Sequence, residues 1–309
     1  MSGPPLRGPV LWITGLGPVR RLVTGTRMGQ RVAHRFVAGE TLDEGLAAAR
    51  ALNARGIGAM LDLLGENVTS PAMASEAADA YVRALKRIEE DPALDCNIAI
   101  KLTELGLDLS YDLCLENTAR VLAAAEARGT QVMIDMESHG YVDRTLRAIR
   151  ELRERYDRVG VALQSYLYRT ERDVFDLPPG TPVRLVKGAY LEPPEVAYRT
   201  RDEVDRSFAR LCATLLSRGH EVHVATHDPR LLGGARRFVE RRRIPWERVE
   251  LQMLYGIRRD LQERYAAEGL PVRTYIPYGS QWYPYLTRRM AERPANLWFF
   301  VSNLLRRGG

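Results

Sequence analysis

The chain has 309 residues, 45% of them hydrophobic and 27% charged, which is enough apolar material for a large core and argues against extended disorder. Its 45 basic and 39 acidic residues give a net charge of +6, but they are interspersed, and the densest basic cluster is the short run Arg241-Arg242-Arg243, so no nucleic-acid surface is expected. Cys96, Cys114 and Cys212 lie far apart without a CxxC pair, which speaks against a disulfide framework or a cysteine-rich metal site and fits a reducing cytoplasm.

Residues 1–9 hold three prolines and two glycines and read as a flexible tail. The apolar run 10–17 is too short to span a bilayer and lacks a basic flank or a small-residue cleavage site, so neither a transmembrane helix nor a signal peptide is expected. Residues 10–55 read as a helical segment packing on the domain that follows, with Thr41 a candidate N-cap for Leu42–Asn53.

From residue 56 onward, short apolar or β-branched runs recur eight times: GIGAMLDLL at Gly56, NIAIKLTEL at Asn97, QVMIDME at Gln131, GVALQSYL at Gly160, PVRLVKGAY at Pro182, EVHVATH at Glu221, VELQMLYG at Val249 and VRTYIPYG at Val272. Stretches of helical period separate most of them, at 75–90, 117–128, 143–156, 202–217, 229–242 and 258–268. Gly129, Gly219 and Gly269 sit where a left-handed residue would stop a helix before the next strand. Eight strand-helix units predict an α/β fold of the (β/α)₈ TIM-type barrel class over 56–309, because a doubly wound sheet more often has fewer strands and a Gly-rich first turn.

Such barrels carry their chemistry at the carboxyl ends of the strands. The polar residues there are Glu66, Lys101, Asp135, Gln164, the segment from Arg184 to Tyr190, Thr226 with His227, Tyr255 and Tyr278. After the last strand comes Tyr275-Ile-Pro-Tyr278-Gly-Ser-Gln-Trp282-Tyr283-Pro-Tyr285-Leu-Thr-Arg288-Arg289-Met-Ala-Glu292-Arg293. Spacings of three, four and seven put Tyr285 and at least one guanidinium on one helix face. Adjacent arginines suit a grip on one carboxylate, since each planar fork donates two hydrogen bonds; the plainer alternative is a solvated basic helix with an aromatic anchor. His220 and His223 lie three apart astride a strand start and so face opposite sides, and no metal site is expected.

The pattern YxxYGxxWYPYxxRRxAER resembles the C-terminal signature of the proline dehydrogenase family. LDLLGE at Leu61, IAIKLT at Ile98, IDME at Ile134, QSYL at Gln164, VRLVKGAY at Val183 and ATHDP at Ala225 extend the resemblance along nearly the whole chain. The resemblance implies a distorted barrel with noncovalent FAD. It also implies oxidation of L-proline to 1-pyrroline-5-carboxylate, with hydride passing from proline C5 to flavin N5. The short monofunctional bacterial type is expected, because no aldehyde dehydrogenase domain follows. By this likeness Lys101, Arg288 and Arg289 hold the substrate carboxylate, and Tyr275 and Tyr285 flank the ring. Arg184 stands beside flavin N5, where positive charge favours the reduced flavin. Asp135 orients Lys101 or Arg184 rather than serving as an assigned base. Met136, Gln164, Lys187, Gly188, Ala189, Thr226 and His227 contact the cofactor, and Glu66 is a gate that pairs with an active-site arginine. The implied electron acceptor is a membrane quinone, reached from the cytoplasm by transient contact at the inner face of the membrane.

Three other readings compete: a flavin barrel similar to methylenetetrahydrofolate reductase, a non-enzymatic basic binding protein, and an aldolase-like barrel using Lys101 or Lys187 as a Schiff-base nucleophile of depressed pKa. NAD as direct acceptor is disfavoured, since no G-x-G-x-x-G turn follows a first strand.

Overall fold

The structure, a computed structural model, describes residues 34–65, 68–127 and 129–292, the last five of these as backbone only. The tail, the first part of the N-terminal segment, Glu66 and the side chains of Arg288 and Arg289 lie outside the described residues.

Eight parallel strands pair in chain order: β1 (Gly58–Leu63), β2 (Cys96–Ile100), β3 (Val132–Ile134), β4 (Val159–Gln164), β5 (Val183–Val186), β6 (Val222–Ala225), β7 (Val249–Leu254) and β8 (Val272–Tyr278). Strand β8 pairs with β1 over six residues, from Gly58 opposite Arg273 to Leu63 opposite Tyr278, and closes the barrel. Helix α1 (Leu42–Asn53) precedes β1, and α2 (Pro71–Glu89), α3 (Tyr111–Glu126), α4 (Val142–Arg153), α5 (Thr170–Asp173), α6 (Arg201–Ser217), α7 (Pro229–Arg242), α8 (Arg259–Ala267) and α9 (Trp282–Glu292) follow the successive strands. All eight expected strands are present.

Local chemistry sets the helix boundaries. Thr41 and Glu44 form a reciprocal capping box at the start of α1, and Thr200 and Glu203 form another at α6. Helices α2 and α3 begin earlier than their apolar periodicity indicates, because Ser70 and Ser110 accept the backbone N–H of Met73 and Leu113 and so start each helix ahead of its apolar stripe. The stops at Gly129, Gly219 and Gly269 have φ of +68°, +92° and +76°.

The main core lies between the outer faces of the strands and the inner faces of the helices, where Leu61, Ile98 and Val161 meet Leu46, Tyr81 and Phe208. Full burial of each such side chain contributes roughly 1.5–3 kcal/mol. Inside the barrel a smaller cluster of Met60, Ala99 and Met133 packs with Tyr275. At the amino end of the strands a partly buried polar network closes the barrel. Arg273 donates to Glu250 and Asp95 at 2.8 Å each, Gln252 reaches both Glu250 and His223, and His223 meets Glu221 at 2.7 Å. The carboxyl end is left for a site.

Candidate active site

Side chains alternate across a strand, so the residues two positions after Met60, Ala99 and Met133 also face inward, one layer nearer the mouth. They are Asp62, Lys101 and Asp135. With Arg184, Gln164 and Tyr275 they line a cavity of about 1010 Å³ at the carboxyl ends of the strands.

Lys101 is held by two carboxylates: its ammonium donates to Asp62 Oδ1 at 2.8 Å and to Glu104 Oε1 at 3.2 Å. Burial alone would lower the Lys101 pKa, but the charges of Asp62 and Glu104 more than offset it and hold it above the ordinary lysine value. The Schiff-base reading needs the opposite shift. Glu104 is itself buried, and its second oxygen accepts from the Tyr81 hydroxyl. Burial and the Asp62 charge push the Glu104 carboxyl up to about 7 against the opposing pull of Lys101.

Arg184 rises from β5 into the barrel interior and pairs with Asp135. Its Nη1 contacts Met60 Sδ at 3.3 Å, and the guanidinium lies 5.0 Å from the centre of the Tyr275 ring. The Tyr275 hydroxyl donates to Asp135 Oδ2 at 2.7 Å. Burial lowers the Arg184 pKa, but an arginine starts so high that it stays charged. Of the two partners expected for Asp135 the structure therefore selects Arg184, while Lys101 is served by Asp62 and Glu104.

The far side of the cavity is a rim of fixed polar groups. The Gln164 amide donates to the carbonyls of Met136 and Glu137 at 3.0 Å each, and its Oε1 has no hydrogen-bond partner among the described residues. Lys187, Gly188 and Ala189 form the turn after β5, where Gly188 has φ +117° and a Cβ would overlap the Tyr166 ring. His227 Nε2 accepts the Leu254 N–H at 3.0 Å, which in the neutral ring leaves the proton on Nδ1. Thr226 precedes Asp228, the N-cap of α7. Arg201, Arg230 and Lys187 gather around Asp228 and Asp205; burial opposes ionisation of Asp228, but hydrogen bonds from Arg230 and Arg201 hold its carboxyl well below the ordinary value.

Helix α9 begins beside the mouth and brings Tyr285 to it. Tyr285 and Gln281 line the cavity, and Arg288 and Arg289 follow about one turn beyond Tyr285 on the same helix. The structure thus brings Lys101, Asp135, Met136, Gln164, Arg184, Lys187, Gly188, Ala189, Thr226, His227, Tyr275 and Tyr285 to one cavity. Tyr278 is not among them, because an odd offset of three from Tyr275 turns it outward into the helix layer, where it packs with Leu61. Tyr255 also stays out of the cavity lining and contacts Arg259.

Asp62, Glu104, Arg201, Asp228 and Arg258 were not marked by reasoning from the sequence. Asp62 carried a signal, since it is the one charged residue of β1 and stands in phase with Met60. Glu104 and Arg201 depend on contacts across the fold.

A family model described as proline dehydrogenase matches residues 45–301. The proline dehydrogenase of Deinococcus radiodurans is 43% identical over 283 residues, covering 89% of this chain and 90% of that protein. Proline dehydrogenase 1 of Bacillus subtilis is 38% identical over 286 residues, covering 92% and 93%. Among solved structures, proline utilization A from Bdellovibrio bacteriovorus, inactivated by N-propargylglycine, superposes with a TM-score of 0.79 at 25% identity; the match covers 88% of this chain and 34% of that one, so the chain spans about a third of that larger polypeptide. With the closed barrel, the composition of its mouth and these likenesses together, the chain belongs to the proline dehydrogenase family.

Proposed function

We propose that the chain is an FAD-dependent oxidoreductase that converts L-proline to 1-pyrroline-5-carboxylate. The observation that carries the reading is the convergence of Lys101, the Arg184–Asp135 pair and Tyr275 on one cavity in a chain of this family.

The residues present fit a flavin dinucleotide. A cavity of about 1010 Å³ stands at the upper end of the range for small-molecule sites, as a large cofactor requires. Gln164 Oε1 is an acceptor held in place with no protein donor among the described residues, which suits a ligand N–H. Gly188 has the Tyr166 ring where a Cβ would stand, and its left-handed turn sets how the backbone approaches the ligand. Met136, Gln164, Lys187, Gly188, Ala189, Thr226 and His227 would hold the group. When bound, FAD supplies a two-electron acceptor for hydride from proline C5.

The chain's own residues then bind and orient. Lys101, with Arg288 and Arg289 from α9, grips the carboxylate and fixes the pyrrolidine ring between Tyr275 and Tyr285, replacing a diffusional encounter by one held geometry. Arg184 keeps a permanent positive charge in a water-poor interior, where it favours charge moving toward the cofactor. Asp135, bonded to Arg184 and Tyr275, positions both. The family likeness gives Glu66 the role of a gate.

A membrane quinone, the acceptor that the family likeness implies, takes the electrons on. The net charge of +6 suits transient contact with an anionic membrane surface from the cytoplasmic side. Among the described residues no helix is long and apolar enough to cross a membrane. The test is L-proline-dependent reduction of an artificial electron acceptor by the purified protein, with the product identified by mass. No turnover with L-proline by the flavin-loaded protein would refute the assignment.

A further inference from the structure

Lys101 Nζ meets Asp62 and Glu104, two buried carboxylates against one ammonium at the cavity wall. With both ionised the group carries a surplus negative charge. The proposed site asks Lys101, with Arg288 and Arg289, to receive a third carboxylate, which sets a further negative charge beside two carboxylates that already outnumber the Lys101 ammonium and so favours protonation of one of them.

We propose that Glu104 is a positioning residue that takes up a proton when a substrate carboxylate docks on Lys101, and returns it when the product leaves. This rests on reading Lys101 as a carboxylate-binding residue. The proton comes from bulk water and goes back to it, with no other bond made or broken. Protonation of Glu104 weakens its contact with Lys101, leaving that ammonium tied to Asp62 with a donor turned toward the cavity.

Geometry favours Glu104 over Asp62 for this role. Glu104 makes the longer contact with Lys101, 3.2 Å against 2.8 Å, and lies behind it, outside the cavity lining. Its other oxygen accepts from the Tyr81 hydroxyl, a rotor that can turn from donor to acceptor, so the neutral acid keeps a partner. The groups that face Glu104 are Asp62 from β1, Lys101 from β2 and Tyr81 from α2, with Tyr278 of β8 farther off. After β3, Glu137 bonds to Thr103 and lies near Lys101 as a further negative group. Helix α3 turns Cys114 and Asn117 toward the loop after β2 and adds no charge there. A resting carboxyl at about 7 means that Glu104 is largely ionised in the free protein just above neutrality, and a docked anion raises it further.

Calorimetric titration of the flavin-loaded protein with cyclopentanecarboxylate tests this. That probe has the ring and the carboxylate but no amine to titrate or oxidise. Run in buffers of different ionisation heat, it reads protons bound per ligand directly. Uptake should be near zero about a pH unit below 7 and rise toward one proton per ligand above 7, where affinity falls by up to ~10-fold per pH unit. In Glu104→Gln the uptake should vanish and affinity become nearly independent of pH. Tyr81→Phe removes a hydrogen bond that favours the ionised form, so the uptake window should move to higher pH. Binding to the wild-type protein without uptake, or uptake that persists in Glu104→Gln, overturns the proposal. If Glu104→Gln does not fold, an unmoved window in Tyr81→Phe does so instead. No binding at all would remove the carboxylate site itself, a different failure that takes the proposal with it.

Discussion

Arg184 offers a perturbation whose stability and rate effects can be separated. Its side chain is 5% exposed and its charge faces Asp135 inside the barrel. Charges about 4 Å apart at an effective dielectric of about 20 attract by ~4 kcal/mol, and breaking a buried pair by removing one partner costs about 3–5 kcal/mol. Among the described residues Arg184→Met leaves Asp135 with the Tyr275 hydroxyl alone, so the melting midpoint should fall by roughly 5–8 °C when compared at saturating FAD. Adding Asp135→Asn removes the stranded charge and should restore most of the lost stability. The rate of anaerobic flavin reduction by L-proline should not recover, remaining about 10²- to 10³-fold below wild type. Additive stability losses in the double variant would deny the coupling, and a wild-type reduction rate in Arg184→Met would deny the electrostatic role.

Arg288→Ala and Arg289→Ala should each weaken the carboxylate grip by about 2–4 kcal/mol, or roughly thirty- to several-hundred-fold in kcat/KM, with flavin content unchanged; steady-state kinetics with unaltered constants in both would take them out of the site. Gly188→Ala combines a strained φ of +117°, costing on the order of 1–3 kcal/mol, with overlap on the Tyr166 ring, so the purified protein should carry less flavin per chain by absorbance; full occupancy at wild-type affinity would contradict the close approach. Burial pushes the Cys114 and Cys212 thiols up to about 12, so neither forms thiolate at ordinary alkaline pH, and both should react with a disulfide reagent only after unfolding. Rapid native labelling of either, mapped by mass, would show that their surroundings open.

The barrel was legible because eight apolar runs recur with helical stretches between them, and the capped start of α1 at Thr41 could be read from Thr-x-x-Glu. The true starts of α2 and α3 were not, since Ser70 and Ser110 stand ahead of the apolar stripe and periodicity says nothing about a cap. At the site, position along the strands identified Lys101, Asp135, Gln164 and Arg184, because strand ends can be counted. Partners could not be counted. Whether Asp135 serves Lys101 or Arg184 depends on where β2, β3 and β5 stand around the ring, and Glu104 becomes part of the site only when α2 brings Tyr81 beneath it. Strand phase would have found Asp62, which shares the inward parity of Met60, and would have turned Tyr278 away from the cavity.

The most direct measurement is the near-ultraviolet and visible absorbance of the purified protein before and after anaerobic addition of L-proline. Flavin bands that bleach on addition are the predicted result. A protein that stays colourless after incubation with FAD, or a yellow one whose bands are unmoved by L-proline, would contradict the assignment.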